Sequence, residues 1–416
     1  MLINLRNALM SGKRLPYDAE VEWLYNSGLT QYINTGIIPT SLTEVSLGFD
    51  IIEPATNLFR TFGGTFIQNN ISATYAILSH ETTQGSNAYN FRVNYNDTIN
   101  ATLAVGSHDV VMNEYGTRAL KVDGTTMGTF TGSISVNLPI FLFCRNTSGV
   151  GETQYSIPIK LRYCKIKDDN GTLVRDYIPV RKGTVGYLYD RVSGKLFGNA
   201  GTGDFVVGQD VVPVEWLEGG QLDSGIAFID TGYTPNSSTK IESTSAILSA
   251  WGYSGRFGNR ARLVFGVANG SLYLAQGGHY YIGGYTAGTF YSFVNDIQNR
   301  TVSVEGVGST STTAVSDWYS QLYPVYLFAS NTAPISGTVV NGKQLDTNSL
   351  GQIRMKSCGI WENNTPVRKF LPVRVGTDAT SWEGAMMDVL TRRIYRNAGT
   401  GAFTYGNDLK YPIPAS

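Results

Sequence analysis

The sequence contains one long internal repeat, and this repeat restricts the fold more than any other feature. Matching segments lie in the same order in the two halves of the 416-residue chain. Val21–Leu24 recurs as Val214–Leu217, and Asn199–Gly203 recurs letter for letter as Asn397–Gly401. The other pairs are Ile33–Gly36 with Ile229–Gly232, Leu120–Gly124 with Val302–Gly306, Pro139–Phe143 with Pro324–Phe328, Cys164 with Cys358, Tyr177–Arg181 with Phe370–Arg374, and Asp190 with Asp388. Matches at both ends and in the middle indicate a duplicated domain, not a short solenoid repeat.

The repeat also sets the domain organisation. It gives an N-terminal segment at 1–20, module one at 21–208, module two at 214–407 and a C-terminal tail at 408–416. Leu2, Leu5 and Leu9 would fall on one side of a helix near the start of the chain. A helix this short is not stable alone, so this segment is expected to pack on a partner as an anchor.

Composition indicates a β protein and argues against several classes of partner. Gly stands at 47, Tyr at 25 and Phe at 18, whereas charged residues make up only 15%. This profile is typical of strands joined by many turns. Lys plus Arg and Asp plus Glu are both 32, so the formal net charge is zero. Because phosphate binding needs a basic surface, nucleic acid is not the expected partner. No apolar stretch approaches the roughly 18 residues of a membrane span.

The start of the chain and the cysteines indicate assembly in a reducing cytoplasm. Asn4, Arg6 and Asn7 break the apolar run at the start, which therefore does not match a secretory signal. The 3 cysteines include no Cys-x-x-Cys pair, which argues against a disulfide framework and a zinc ribbon. We therefore expect reduced, buried thiols.

Local patterns predict strands throughout both modules. Glu44–Ile51 alternates polar and apolar residues, as a half-buried strand does. Leu120–Val122 followed by Asp-Gly predicts a hairpin with a type I′ turn. The apolar runs Ile140–Phe143 and Val325–Phe328 predict central strands covered on both faces. The Pro of each Pro-Val-Arg segment predicts a strand end or a sheet edge. Many short strands with Gly-rich turns predict an all-β chain of two tandem β-sandwiches.

Several segments together resemble lectin-type modules, concanavalin-like and laminin-G-like, of gut bacteria and their phages. They are Glu22–Leu24, Gln31–Gly36, Leu173–Arg181, Tyr189–Phe197 and Asn199–Gly203. The resemblance covers nearly all of both copies and implies two concanavalin-like jelly rolls after a short N-terminal extension. Module two departs from the pattern at Trp382–Asp388, so a role tied to Tyr187 or Tyr189 does not carry over to it. Residues 1–20 resemble the extension of phage virion proteins, which implies a head or tail appendage that displays binding modules.

The sequence lacks the patterns that catalysis on this fold requires. Retaining glycoside hydrolases need two carboxylates about 5–5.5 Å apart, usually from acids at alternate positions of one strand. No Glu-x-Asp-x-Glu-like cluster occurs, and Glu383 and Asp388 would face opposite sides of a strand. His80, His108 and His279 do not recur between the copies, which argues against a zinc site or a His-based triad. We therefore expect no enzymatic activity.

Two aspartates are candidate calcium ligands. Asp190 and Asp388 recur at aligned positions beside a Gly-containing turn, and Ca²⁺ prefers oxygen ligands. The alternative is an Asp that caps its own turn. No other cofactor is expected. The Asn199–Gly203 repeat itself is predicted to be a tight turn, because glycine permits positive φ.

Sugar binding relies on aromatic rings that stack on pyranose faces and on polar groups that bind hydroxyls. The candidates in module two are Trp251, Tyr253, Arg256 and Tyr280, and those in module one are Tyr89 and Arg92. The alternative is that these aromatics belong to a core or an interface. Trp23 and Trp216, which open the two modules, are assigned to the cores.

These observations predict a non-enzymatic phage virion protein, made in the host cytoplasm and carrying two lectin-like modules. Its N-terminal segment is expected to bind other virion proteins, and its modules are expected to bind host-surface glycans. We expect a homo-oligomer, because one chain offers little surface for avidity. The alternatives are a bacterial surface carbohydrate-binding protein and a lectin-fold glycoside hydrolase. Residues 52–118 and 243–300 barely match, so the two copies are expected to bind different ligands, or one of them only packs.

Overall fold

The computed structural model describes residues 15–53, 60–66, 74–80, 87–249, 257–259, 263–313, 323–332, 338–346, 350–378 and 380–409. The N-terminal helix expected near the start of the chain lies outside these ranges. The chain divides into two compact units, 1–210 and 211–416. Within the described ranges, no helix has the length and apolar character needed to span a membrane.

In the described part of module one, the regular secondary structure is strand, apart from a 3₁₀ turn at Thr153–Tyr155. Its strands are β1 (Ala19–Glu20), β2 (Leu24–Tyr25), β3 (Ile33–Asn34), β4 (Glu44–Ile51), β5 (Arg60–Phe66), β6 (Tyr75–His80), β7 (Ala88–Asn94), β8 (Asp97–Thr102), β9 (Gly106–Met112), β10 (Ala119–Val122), β11 (Thr125–Thr129), β12 (Phe141–Leu142), β13 (Arg145–Thr147), β14 (Val150–Glu152), β15 (Ile159–Lys167), β16 (Leu173–Lys182), β17 (Val185–Asp190), β18 (Lys195–Phe197) and β19 (Val206–Val207).

Module two repeats this plan. Its strands are β20 (Val211–Pro213), β21 (Leu217–Leu222), β22 (Gly225–Ala227), β23 (Ile229–Asp230), β24 (Thr239–Ile247), β25 (Phe257–Asn259), β26 (Leu263–Ala268), β27 (Ser271–Gln276), β28 (Gly278–Gly284), β29 (Phe290–Asp296), β30 (Thr301–Val304), β31 (Gly308–Ser311), β32 (Tyr326–Leu327), β33 (Ser330–Asn331), β34 (Thr338–Val340), β35 (Lys343–Leu345), β36 (Gln352–Glu362), β37 (Thr365–Gly376), β38 (Trp382–Asp388), β39 (Arg393–Tyr395) and β40 (Thr404–Tyr405).

Each module contains one larger and one smaller sheet. The larger sheets run β11-β10-β9-β4-β15-β16-β17-β18 in module one and β31-β30-β29-β24-β36-β37-β38-β39 in module two. The smaller sheets run β14-β13-β5-β6-β7-β8 and β28-β27-β26-β25-β33-β35-β34. Neighbouring strands are antiparallel except β13 beside β5 and β33 beside β25. The prediction of an all-β chain built from jelly-roll-type β-sandwiches is confirmed.

Alternating patterns place the core of each module between its two sheets. Strand β4 occupies the predicted range Glu44–Ile51 and buries Val45, Leu47, Phe49 and Ile51. The predicted type I′ turn joins β10 and β11, because Asp123 and Gly124 both have positive φ, 49° and 82°. The three cysteines are free and buried, as expected.

Three sequence predictions fail in detail. The apolar runs at 140–143 and 325–328 are buried, but only two residues of each form a strand. Phe143 and Phe328 then take positive φ, 70° and 69°, which ends the strand and turns the chain.

The two tryptophans that were assigned to the cores lie outside them. Trp23 and Trp216 are half-buried, and the cations of Lys160 and Arg354 lie over their rings, each 4.2 Å from the ring centroid.

The Pro of each Pro-Val-Arg segment lies inside a long strand and not at an edge. Pro179 is in β16, at the point where the partner strand changes from β15 to β1. Pro372 is at the same point of β37, between the pairings with β36 and β20. The missing N–H of Pro therefore falls in a gap of the ladder. These pairings also place 19–20 in the sheet of module one and 211–213 in that of module two.

Candidate functional site

A concavity lies on the outer face of the larger sheet of module two. This groove has a volume of about 750 Å³ and crosses β37, β36, β24, β29 and β30. The residues in register across it are Lys369, Gly359, Glu242, Val294 and Ser303 in one row, and Ser357, Thr244 and Ser292 in the next. Because most of these side chains are small, the sheet face stays open. The volume lies within the range of ligand pockets, about 300–1,000 Å³.

Trp361 forms one wall of the groove. A Cβ atom on Gly359 would collide with the indole, so the ring lies over this glycine. Lys240 is opposite Trp361 in the sheet, and its Nζ lies over the ring, 4.8 Å from the centroid. The same Nζ is 2.8 Å from Glu242 Oε1. The wall therefore combines a half-buried aromatic ring with a charged pair at its edge.

Polar groups and the apolar side chains of Val294, Leu371 and Val389 line the rest of the groove. Hydroxyl groups come from Thr244, Ser292, Ser303 and Ser357, and Glu305 contributes a second carboxylate. The side chain of Glu242 is 40% exposed and Glu305 is exposed, so both carboxylates stay in contact with water. Groups of this kind bind hydroxyls, and Trp361 offers an apolar surface beside them.

Module one fills the same face with its own side chains. Tyr163 replaces Ser357 of module two, and its ring lies over Gly48, where a Cβ would collide with it. The guanidinium of Arg162 donates to His108 O at 2.9 Å and lies within 3.4 Å of Asp50 and 3.3 Å of Asp109. This charged cluster occupies the region that is open in module two.

None of the described sequence-predicted sugar-binding residues, Tyr280, Tyr89 and Arg92, lines this groove. Trp251, Tyr253 and Arg256 lie outside the described residues. Tyr280 is half-buried, packs against the core of module two, and its hydroxyl accepts the Thr313 N–H at 3.1 Å. Tyr89 is fully buried in module one, as the core alternative expects.

Arg92, the remaining candidate, lines a separate cavity in module one. The guanidinium carbon lies 4.8 Å from the centroid of the Tyr95 ring, and the residue is 8% exposed. This cavity has a volume of about 180 Å³. Of the described candidates, Tyr89 belongs to a core, Tyr280 packs against a core, and Arg92 lines a cavity.

Asp190 and Asp388 make the contacts of turn-capping residues. Asp190 is fully buried and accepts the N–H groups of Asp176, at 2.9 Å, and Val192, at 3.1 Å. Asp388 accepts the equivalent Lys369 N–H at 2.9 Å, and the Leu390 N–H at 3.2 Å. Burial raises the pKa of Asp388, and these N–H donors oppose that rise. Within the described ranges, no cluster of three His, Cys, Asp or Glu is placed to hold a metal ion. Calcium binding at the two aspartates stays a prediction.

Sequence reasoning missed Trp361, Glu242 and Glu305. The position of Trp361 is occupied by Lys167 in module one. Because the two copies do not share an aromatic residue there, comparison of the repeats did not identify Trp361. The alternation of β24 and β36 shows which residues face outward, but only the strand order reveals that β30 brings Glu305 to the same face.

Solved structures that resemble this chain include the two distant similarities described below. No family model matches the chain, and no curated protein matches it. The mouse laminin alpha1 chain, domains LG4-5, is 11% identical with a TM-score of 0.28, covering 85% of this chain and 93% of that one. The NanB sialidase from Streptococcus pneumoniae is 10% identical with a TM-score of 0.25, covering 94% of this chain and 76% of that one. Such low TM-scores carry no functional argument, and the architecture rests on the strand order of the four sheets.

Proposed function

We propose that the protein is a non-enzymatic carbohydrate-binding protein of a phage particle, and that module two binds a host-surface glycan in its groove. The observation that carries this proposal is the indole ring of Trp361, which lies over Gly359 beside small hydroxyl side chains. A pyranose ring has an apolar face and a rim of hydroxyls, and the groove offers a partner for each.

Lys240 shares the aromatic surface with the proposed sugar. A cation over an exposed ring contributes about 0.5–1 kcal/mol, which is small enough for a stacked sugar to displace the ammonium. The displaced Lys240 stays beside Glu242, and both can bind the hydroxyls of the same sugar. The wall therefore supplies stacking and hydrogen bonds from adjacent positions.

The carboxylates of the groove favour binding over hydrolysis. A glycosidase needs a protonated general acid, usually a carboxyl group held in an apolar pocket. Glu242 is paired with Lys240 and Glu305 is exposed, so neither has such surroundings. The hydrolase alternative predicts release of reducing sugar from a bound glycan; the proposal expects none.

Substitution of Trp361 tests the proposed site. We expect Trp361→Ala in the full chain to lose at least about tenfold in glycan affinity, or 1.4 kcal/mol, on a glycan array and by calorimetry with the best ligand. Trp382→Ala is the matched control, because this tryptophan lies under Arg374, outside the groove. Full affinity in the Trp361 variant would exclude the groove as the binding site.

The virion location rests on the resemblance of the modules and of the N-terminal segment to those of phage proteins. We expect the intact chain in purified phage particles, detected by mass spectrometry, bound to other virion proteins through residues 1–20 and forming a homo-oligomer. Its absence from particles that carry the gene would overturn this part of the proposal and leave the bacterial surface alternative.

A further inference from the structure

The charged side chains of the groove in module two are distributed unevenly along its length. The groove crosses five strands, from β37 at one end to β30 at the other. Adjacent strands of a sheet lie about 4.8 Å apart, so Lys369 on β37 and Ser303 on β30 are about 19 Å apart along the sheet. A groove of this length accommodates a short oligosaccharide and not only the sugar that stacks on Trp361.

The charges cancel in the middle of the groove but not at its two ends. Lys240 Nζ lies 2.8 Å from Glu242 Oε1, so this pair carries no net charge. Lys369 is half-buried at the β37 end, and Glu305 is exposed just after β30. Among the residues that the structure describes, neither the Lys369 ammonium nor the Glu305 carboxylate has a hydrogen-bond or ion-pair partner. The groove therefore has an unpaired positive charge at one end and an unpaired negative charge at the other.

The backbone of the sheet places Lys369 beside the aromatic wall. Lys369 is opposite Gly359, the residue over which the Trp361 ring lies. The Lys369 N–H donates to the buried Asp388 carboxylate at 2.9 Å, and its carbonyl accepts the Val389 N–H at 2.8 Å. The backbone is therefore fixed, whereas the ammonium has three donors for an acceptor in the groove. A sugar stacked on Trp361 lies within reach of this cation.

We infer, on the basis of the glycan site proposed above, that the groove selects an oligosaccharide with one acidic group, held by Lys369. The acidic group is a carboxylate or a sulfate on the sugar at the β37 end, because hydrogen bonds between an ammonium and an anion are among the strong ones. Glu305 repels a second anion at the β30 end. The two end charges thus fix the direction of the oligosaccharide and disfavour polyanionic chains.

Glycans that differ by one acidic group test this selection on the full chain. The probes are lactose and N-acetyllactosamine, each neutral, capped by one sialic acid, or carrying one sulfate. Tetragalacturonate, with a carboxylate on every residue, is the polyanionic probe. A charge-assisted hydrogen bond in a half-buried site exceeds an exposed ion pair, so calorimetry should give a singly acidic form at least about fivefold tighter binding than its neutral form.

The pattern across the probes decides the inference. Preference for the sialylated form identifies a carboxylate ligand, and preference for the sulfated form identifies a sulfate ligand; both support the inference. Equal affinity for the neutral and singly acidic forms would overturn it, as would tightest binding of tetragalacturonate.

Variants at the two ends of the groove assign the selection to single side chains. We expect Lys369→Gln to abolish the preference for the acidic form without changing the affinity for the neutral form, and Lys369→Arg to retain the preference. Lys195→Gln, an exposed charge change on β18, is the control and should retain it as well. Glu305→Gln should strengthen the binding of tetragalacturonate. A preference that persists in Lys369→Gln would contradict the role of this cation.

Failure of this inference differs from failure of the proposed glycan site. If neutral and acidic forms bind equally and Trp361→Ala weakens both, the groove binds glycans without selecting their charge, and only the inference fails. If no glycan binds, the proposed site and the inference both fail.

Discussion

Single half-buried polar residues hold the closing turns of both modules in place. Asn199 accepts the N–H groups of Tyr32 and Gly201, at 2.9 and 2.8 Å, and its amide donates to Gly203 O at 2.6 Å. Asn397 repeats these contacts with Phe228, at 3.1 Å, and with Gly399 and Gly401. Each Asn joins the closing turn to a segment near the start of its module. The identical sequence of the two closing turns is therefore explained by the same hydrogen bonds in both modules, without a ligand site.

Removal of the buried cap should destabilise module two. Asp388→Ala leaves the Lys369 and Leu390 N–H groups without their acceptor in a fully buried position. We expect a loss of about 2–4 kcal/mol in the free energy of unfolding, measured by urea denaturation. Asp378→Ala is the control, because the Asp378 carboxylate accepts the Thr380 and Ser381 N–H groups, both at 2.8 Å, in an exposed turn. Water can replace that carboxylate, so the control should lose much less; equal losses would contradict a role for burial.

At the scale of strands, one shared irregularity produces two different surfaces. Strands β15 and β36 both carry a bulge against the neighbouring strand, one before Tyr163 and one before Ser357. The additional residue is Arg162 in module one and Lys356 in module two. Arg162 lies between Asp50 and Asp109, whereas Lys356 lies over Phe290, with its Nζ 4.1 Å from the ring centroid. The same backbone bulge therefore carries a side chain that covers the outer face in module one and one that leaves this face open in module two.

The sequence could predict the features of the fold that depend on local signals, but not the features that depend on strand order and tertiary packing. Alternation identified β4, and Asp-Gly identified the β10–β11 turn, because both signals are local. The candidate groove combines residues from five strands that are distant in sequence, and its register depends on the bulge in β36. The positive φ of Phe328 also depends on tertiary packing, with its ring 5.1 Å from that of Phe403. No local sequence pattern predicts the groove or the positive φ of Phe328.

At the scale of the molecule, each half of the chain builds its own core. The main cluster of module one contains buried residues from Leu24 to Phe205, and that of module two contains buried residues from Leu217 to Phe403. Each main core also contains a cysteine, Cys164 in module one and Cys358 in module two. Separate cores predict that one module can unfold locally while the other stays folded.

Thiol labelling can measure this independence. Burial raises the pKa of Cys144 and Cys358 to about 12, and it also raises the pKa of Cys164. At pH 8 the native thiolate fraction is then about one in ten thousand for a pKa near 12, so a thiolate-directed reagent should react only after a module opens. Mass spectrometry of the labelled peptides assigns each opening event to one module.

A glycine variant in each closing turn then separates the two modules. A Cβ on Gly399 would collide with the carbonyl oxygen of Ile226, and one on Gly201 would collide with that of Thr30. We expect Gly399→Ala to accelerate the labelling of Cys358 at least about tenfold, equal to 1.4 kcal/mol, while Cys164 keeps its rate. Gly201→Ala should show the reverse. The exposed neighbours provide the controls Thr400→Ala and Thr202→Ala, which should change neither rate. If either glycine variant accelerates both cysteines equally, the two modules unfold as one cooperative unit, and the separate cores do not determine the stability of the chain.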